Sequence, residues 1–172
     1  MCIRDSPGTV GTVYQVRSGN LLDLPRSYTV EPGRQLTDRW LATATGAYDL
    51  SVYGPNGYLR AFRGSVAGFA HADLAVEAQE DAADCGLVLE VTNRGQFSVR
   101  ARMENGYTRQ VVTHTLAPGQ AVSITMPLSE LFGWYDLTVS VEEDAAFARH
   151  LAGHVETGQH SMTDPAIGFP AL

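Results

Sequence analysis

Positive charge is scarce in this 172-residue sequence: 12 lysines and arginines stand against 19 acidic residues, a net charge of −7. Nucleic-acid surfaces need basic patches to neutralise phosphate, so no nucleic-acid partner is expected. Docking on anionic lipid by charge alone is disfavoured for the same reason. Cysteine is scarce too. Cys2 lies in an atypical terminus and Cys85 stands far from it, so no structural disulfide is expected, and the count does not report a redox compartment. No apolar run approaches the roughly 18 residues of a transmembrane helix. The opening "MCIRDSPG" lacks the apolar stretch of a signal peptide, with Arg4 and Asp5 interrupting it, so location cannot be read from this end.

Catalytic signatures are also missing. "GSVAG" has its serine in the wrong place for a nucleophile elbow. "GPNG" is a hairpin turn without the lysine and helix of a phosphate loop. No Cys-x-x-Cys occurs, and Cys85, at the start of a strand, reads as a small core residue. His150, His154 and His160 lie close in sequence with Glu156 among them. Residues four apart on a strand are roughly 13 Å apart, however, so these histidines read as strand-end and loop residues. No metal site, no cofactor and no catalytic constellation are expected in this chain. Trp40 and Trp134 read as core residues; an outward Trp134 would instead suit sugar or lipid-interface contact.

What is present is strand. An apolar fraction of 44% suits a globular core. Alternating, valine-rich runs such as "TVGTVYQVRS", "AYDLSVY", "GLVLEVTN" and "WYDLTVSV" recur about every ten residues between turn formers. Only "PLSELFG" has helical character, for a turn or two at most. The halves repeat each other. "YTVEPGRQL" matches "HTLAPGQAV", pairing Pro32-Gly33 with Pro118-Gly119. "YDLSV" matches "YDLTV", and "YLRAFRG" matches "FARHLAG", aligning Arg60 with Arg149 and Gly64 with Gly153. The expected architecture is all-β: two tandem immunoglobulin-like β-sandwich modules. The boundaries are residues 8–66 for the first repeat, 72–158 for the second and 159–172 for a C-terminal tail, with "GSVAGFAHA" as the link. The second repeat has two further strands, "ADLAVEAQ" and "GLVLEVTN", before its matching region. The first has only "MCIRDSPG" there, so it is expected to lack its N-terminal strands, as the tail end of a longer protein would.

Alternation puts Tyr48, Leu50 and Val52 on one face and Asp49 on the other, and likewise Tyr135, Leu137 and Val139 against Asp136. The repeated Tyr-Asp-Leu is therefore expected to be structural, its tyrosine hydroxyl bonded to nearby backbone. Cross-strand ion pairs Asp49–Arg60 and Asp136–Arg149 are expected. Parity sets each arginine on the apolar face, so either a bulge or a partly buried guanidinium is required.

"AYDLSVYGPNGYLRAFRG", "APGQ…GWYDLTVSV" and above all "LAGHVETGQHSMTDPAIG" resemble the C-terminal region of bacterial phosphocholine-preferring phospholipases C, of the acid-phosphatase-like phosphoesterase superfamily. The resemblance covers about Gly8 to Gly168. That region is two tandem small β-domains, in accord with the repeat. It implies a parent enzyme that releases phosphocholine from phosphatidylcholine or sphingomyelin, and a periplasmic or secreted location. It also implies an upstream catalytic domain on the same polypeptide as partner, with a phospholipid membrane surface as a further one. This chain would be the non-catalytic module; the alternative is a stand-alone glycan- or protein-binding β-sandwich.

Overall fold

In the computed structural model, residues 2–4, 10–20, 22–67 and 71–168 are described. The remainder of "MCIRDSPG", the centre of the inter-repeat link (68–70) and the last four residues of the tail lie outside them. The described residues hold thirteen strands and no α-helix, so the all-β expectation stands. The first half carries β1 (Cys2–Arg4), β2 (Thr12–Ser18), β3 (Arg26–Val30), β4 (Gln35–Thr37), β5 (Ala47–Tyr53) and β6 (Leu59–Ser65). The second carries β7 (Leu74–Asp81), β8 (Gly86–Asn93), β9 (Val99–Asn105), β10 (Val111–Leu116), β11 (Ala121–Pro127), β12 (Trp134–Val141) and β13 (Asp144–His154). The helical turn expected in "PLSELFG" is a single 3-10 turn, Ser129–Leu131.

The two repeats are joined edge to edge through their strands. One eight-stranded sheet runs through both, in the order β10-β9-β12-β13-β6-β5-β2-β3. Read from its centre outward, each side is the same four strands of the repeat, so the antiparallel β13–β6 pair lies on a local two-fold. Arg149 is opposite Phe62 there, and Arg60 is opposite Leu151. Because Arg60 aligns with Arg149 and Phe62 with Leu151, the two pairs are the same pair exchanged between the halves. The last strand of each unit would otherwise leave an unpaired edge, and pairing the two edges removes both.

Over the second half lies a three-stranded sheet, β11-β8-β7. Leu74, Leu87, Leu89 and Val91 from it share one core with Tyr135, Leu137, Val139, Phe147 and Leu151. Strict alternation along β12 explains this: Tyr135, Leu137, Val139 and Val141 are buried and the residues between them are not. Fully buried Asn93 closes one end, donating to the carbonyls of Phe97 (2.8 Å) and Leu116 (2.9 Å) and accepting from the Gly95 amide (2.9 Å).

The first half has a much thinner core. Four buried apolar residues, Tyr14, Val16, Val30 and Val52, stand against seventeen in the second half among the described residues. Among the described residues its counterpart to the three-stranded sheet is the pair β1–β4. The loop after β4 is tied down by Asp38, which accepts from the Tyr28 hydroxyl and, at 2.7 Å, from Arg26. These two donors, the hydroxyl first, hold the Asp38 carboxyl down at about 2. Arg26 in turn lies 4.0 Å over the ring of Trp40.

Candidate functional site

The repeated side chains converge where the halves meet. Tyr135 lies directly across from Gly153, and Tyr48 directly across from Gly64. A β-carbon at residue 153 would stand 2.6 Å from the Tyr135 hydroxyl oxygen, and one at residue 64 would press on that of Tyr48. The glycine is needed for space: each tyrosine ring lies flat across the neighbouring strand and passes over a bare backbone. Its hydroxyl thereby reaches the strand beyond.

There it meets the arginine of the other repeat. Arg60 donates through Nη2 to the Tyr135 hydroxyl (2.8 Å) and through Nη1 to the carbonyls of Ala152 (2.9 Å) and Leu59 (2.8 Å). Arg149 donates through Nη2 to the Tyr48 hydroxyl (2.8 Å) and through Nη1 to the carbonyls of Arg63 (2.8 Å) and Ala148 (2.9 Å). Each guanidinium also lies over aromatic rings, Arg60 4.5 Å from the Tyr58 centroid and Arg149 4.2 Å from that of Phe147. The same bond is made twice, once in each direction across the local two-fold.

This corrects two expectations. The ion pairs Asp49–Arg60 and Asp136–Arg149 do not form, because Asp49 lies opposite Arg63, and Arg60 opposite Val52. Parity then holds carboxylate and guanidinium on opposite faces, and of the two ways out that parity allowed, the partly buried guanidinium is the one used. The tyrosine hydroxyls go to side chains across the seam rather than to nearby backbone. On the outer face, Asp136 takes His150 Nε2 at 2.7 Å. Asp136 and Asp49 also pack on Gly106 and Gly19, whose amides bond back to their carbonyls at 2.7 and 2.8 Å.

The two copies differ in one partner. The Tyr135 hydroxyl, while accepting from Arg60, donates to Glu80 on β7 at 2.8 Å. Burial pushes this phenol well above its usual range, with Arg60 opposing and Glu80 adding. The arrangement predicts a coupling of about 1–2 kcal/mol between Arg60→Met and Tyr135→Phe in a double-mutant cycle of urea unfolding. Additive effects would show that the bond contributes nothing beyond packing.

A second cluster contains the histidine-rich segment. His154 Nδ1 faces Glu156 (3.0 Å) and Nε2 faces Ser161 Oγ (2.7 Å), which has the connectivity of a hydrolytic triad. The surroundings oppose that chemistry. Ser161 Oγ is met by the carbonyls of Phe132 (2.9 Å) and Met162 (3.4 Å), and carbonyls repel the charge that an oxyanion hole must stabilise with N–H groups. The cluster instead fastens the tail: Trp134 Nε1 donates to Met162 (2.8 Å) and the Tyr107 hydroxyl to Asp164 (2.9 Å). Trp134 is covered by the His154 ring at 4.7 Å and by the first-half hairpin turn. Gly57 there has φ +70°, and a β-carbon on it would stand 2.7 Å from the indole. Trp134 is therefore no open platform for sugar stacking. His150 and His154 bind separate partners, and among the described residues no group of three or more His, Cys, Asp or Glu side chains could hold a metal ion. Cys85 takes φ +46° in the turn before β8 rather than starting the strand.

Charge divides between the halves. Residues 1–66 carry seven arginines and five acidic residues, residues 67–172 five and fourteen, for net charges of +2 and −9. At one end of the first half the β2–β3 and β4–β5 loops meet around a cavity of about 340 Å³ that both line, with Arg63 in its wall. Three leucines on these loops, Leu22, Leu24 and Leu41, are 90%, 81% and 91% exposed.

The family model of the bacterial phospholipase C C-terminal domain matches the chain twice, over residues 3–65 and 70–154. The chain is 42% identical over 168 residues to a non-hemolytic phospholipase C of Burkholderia pseudomallei, covering 93% of this chain and 23% of that protein. It is 33% identical to a non-hemolytic phospholipase C and 35% identical to a hemolytic phospholipase C of Pseudomonas aeruginosa, covering 96% and 95% of this chain and 25% of each of those proteins. It thus spans about a quarter of the length of these curated relatives. With the family matched over most of its length, the chain belongs to the bacterial phospholipase C C-terminal domain family.

Proposed function

We propose that this chain is the non-catalytic C-terminal module of an exported phospholipase C. In this reading an upstream phosphoesterase domain on the same polypeptide hydrolyses phosphocholine lipids, and the module presents that domain to a phospholipid surface. The carrying observation is the double family match together with relatives, named as phospholipases, about four times as long. Support from the site is that the recurring Tyr and Arg side chains bond to each other across the seam between the halves, over Gly64 and Gly153, while Asp49 and Asp136 are engaged within their own halves.

The surface contact is assigned to the leucine-tipped end of the first half. The whole chain is acidic, but this half is locally cationic, and exposed leucines beside arginines suit the boundary between headgroups and acyl chains. Vesicles of phosphatidylcholine doped with phosphatidylglycerol should sediment with the chain, and the triple change Leu22→Ser, Leu24→Ser and Leu41→Ser should weaken partitioning at least about tenfold. Unchanged partitioning would remove the membrane-facing role. Phosphocholine release by the isolated chain would overturn the non-catalytic assignment itself.

A further inference from the structure

The pairing of β1 with β4 copies that of β8 with β11. The Pro-Gly turns before β4 and β11 anchor the comparison, each with its glycine at positive φ (Gly33 +65°, Gly119 +77°). Two residues beyond each turn begin Gln35 and Ala121. Their cross-strand partners are Arg4 and Thr92; Leu36 and Val122 then face Ile3 and Val91, and Thr37 and Ser123 face Cys2 and Glu90. The register is the same at every position. β1 therefore occupies the place of the last residues of β8, namely Glu90–Thr92. Nothing among the described residues corresponds to the rest of β8 or to β7.

The ground that those strands cover in the second half is open in the first. Tyr48 and Leu50 are half-buried where Tyr135 and Leu137 are buried. With Trp40, Phe62 and Arg149 they line a cavity of about 290 Å³. The Tyr48 hydroxyl accepts from Arg149 as Tyr135 accepts from Arg60, and Tyr135 has Glu80 besides.

We infer that this face is a docking site for a β-hairpin joined to the N-terminal side of Cys2. Its second strand runs on into β1 against β4. Its first strand pairs alongside, directing alternate apolar residues onto Leu50 and Phe62 and an acidic side chain onto Tyr48. The occupant is covalently continuous polypeptide because β1 already fixes the register of entry, and relatives about four times longer have the chain to supply it. This inference does not depend on the membrane contact proposed above, and either can fail alone.

The test fuses a copy of Leu74–Leu89 directly before Cys2 in place of Met1, so that the copied Leu89 precedes the counterpart of Glu90. A control inserts one alanine at the junction, which turns every apolar side chain of the copy to the wrong face. The in-register fusion should raise Tm by at least about 4 °C and slow amide exchange in β4 at least about tenfold, and the slipped control should do neither. Replacing the copied glutamate by glutamine (the counterpart of Glu80→Gln) should lose part of that gain. Equal behaviour of the two fusions would overturn the inference. So would loss of cooperative unfolding in the in-register fusion alone, or an unfused chain that dimerises with β4 protected, since a second copy would then be the occupant.

Discussion

Gly153→Val is expected to cost about 3–5 kcal/mol, enough to unfold much of a domain of ordinary stability. The new β-carbon falls 2.6 Å from the Tyr135 hydroxyl oxygen and 2.9 Å from the ring carbon that bears it. Tyr135 is 1% exposed and packed within the core of the second half. Overpacking of this kind costs about 1–3 kcal/mol, and displacing the ring also breaks the bonds to Arg60 and Glu80, each worth about 1 kcal/mol net. Gly64→Val places the same chemistry under Tyr48, which is half-buried and borders open cavity, so the ring can swing aside at about half that cost or less. Urea unfolding of both variants checks this. If the clash is the cause, adding Tyr135→Ala to Gly153→Val should cost at least about 1 kcal/mol less than the sum of the single changes. Equal penalties at residues 64 and 153 would mean that the two tyrosines are equally confined.

The sequence made the order of strands, the turns and the inward set Tyr-Leu-Val legible, because those follow from alternation and from turn residues at matching offsets. It also aligned Gly64 with Gly153, though without a role. The role needs the knowledge that each glycine lies directly across from the repeated tyrosine. What could not be read was the joining of the halves. Arg60 and Tyr135 are 75 residues apart and Arg149 and Tyr48 are 101 apart, so no local spacing announces either bond. The Asp–Arg ion pairs were a natural error: opposite charges on adjacent strands attract only from the same face, and parity had already placed them on different ones. The three-residue β1 has no alternation long enough to detect, and only its pairing with β4 identifies it. The tail latch depends on His154 meeting Ser161 through a loop, which no periodicity encodes.

The two leucines of the repeated tripeptide give the other large effect, and they measure how unequal the halves are. Leu137→Ala removes a side chain that is 4% exposed, in a core closed by β7 and β8, and is expected to cost about 2–5 kcal/mol. Leu50→Ala makes the same change at the same place in the repeat. Its side chain is half-buried and faces a cavity already present, so only part of its apolar surface is lost from contact and about 1 kcal/mol is expected. Each half carries its own tryptophan, Trp40 in the first and Trp134 in the second, so Trp40→Phe and Trp134→Phe backgrounds report which half responds. Because β6 and β13 are hydrogen-bonded neighbours in one sheet, a defect in either half is expected to reach both probes. Similar penalties for the two leucines would mean that the first-half face is already closed. If instead Leu50→Ala costs little in the chain as it stands and as much as Leu137→Ala after the in-register hairpin is fused, the difference between the halves lies in what covers the sheet and not in the sheet itself.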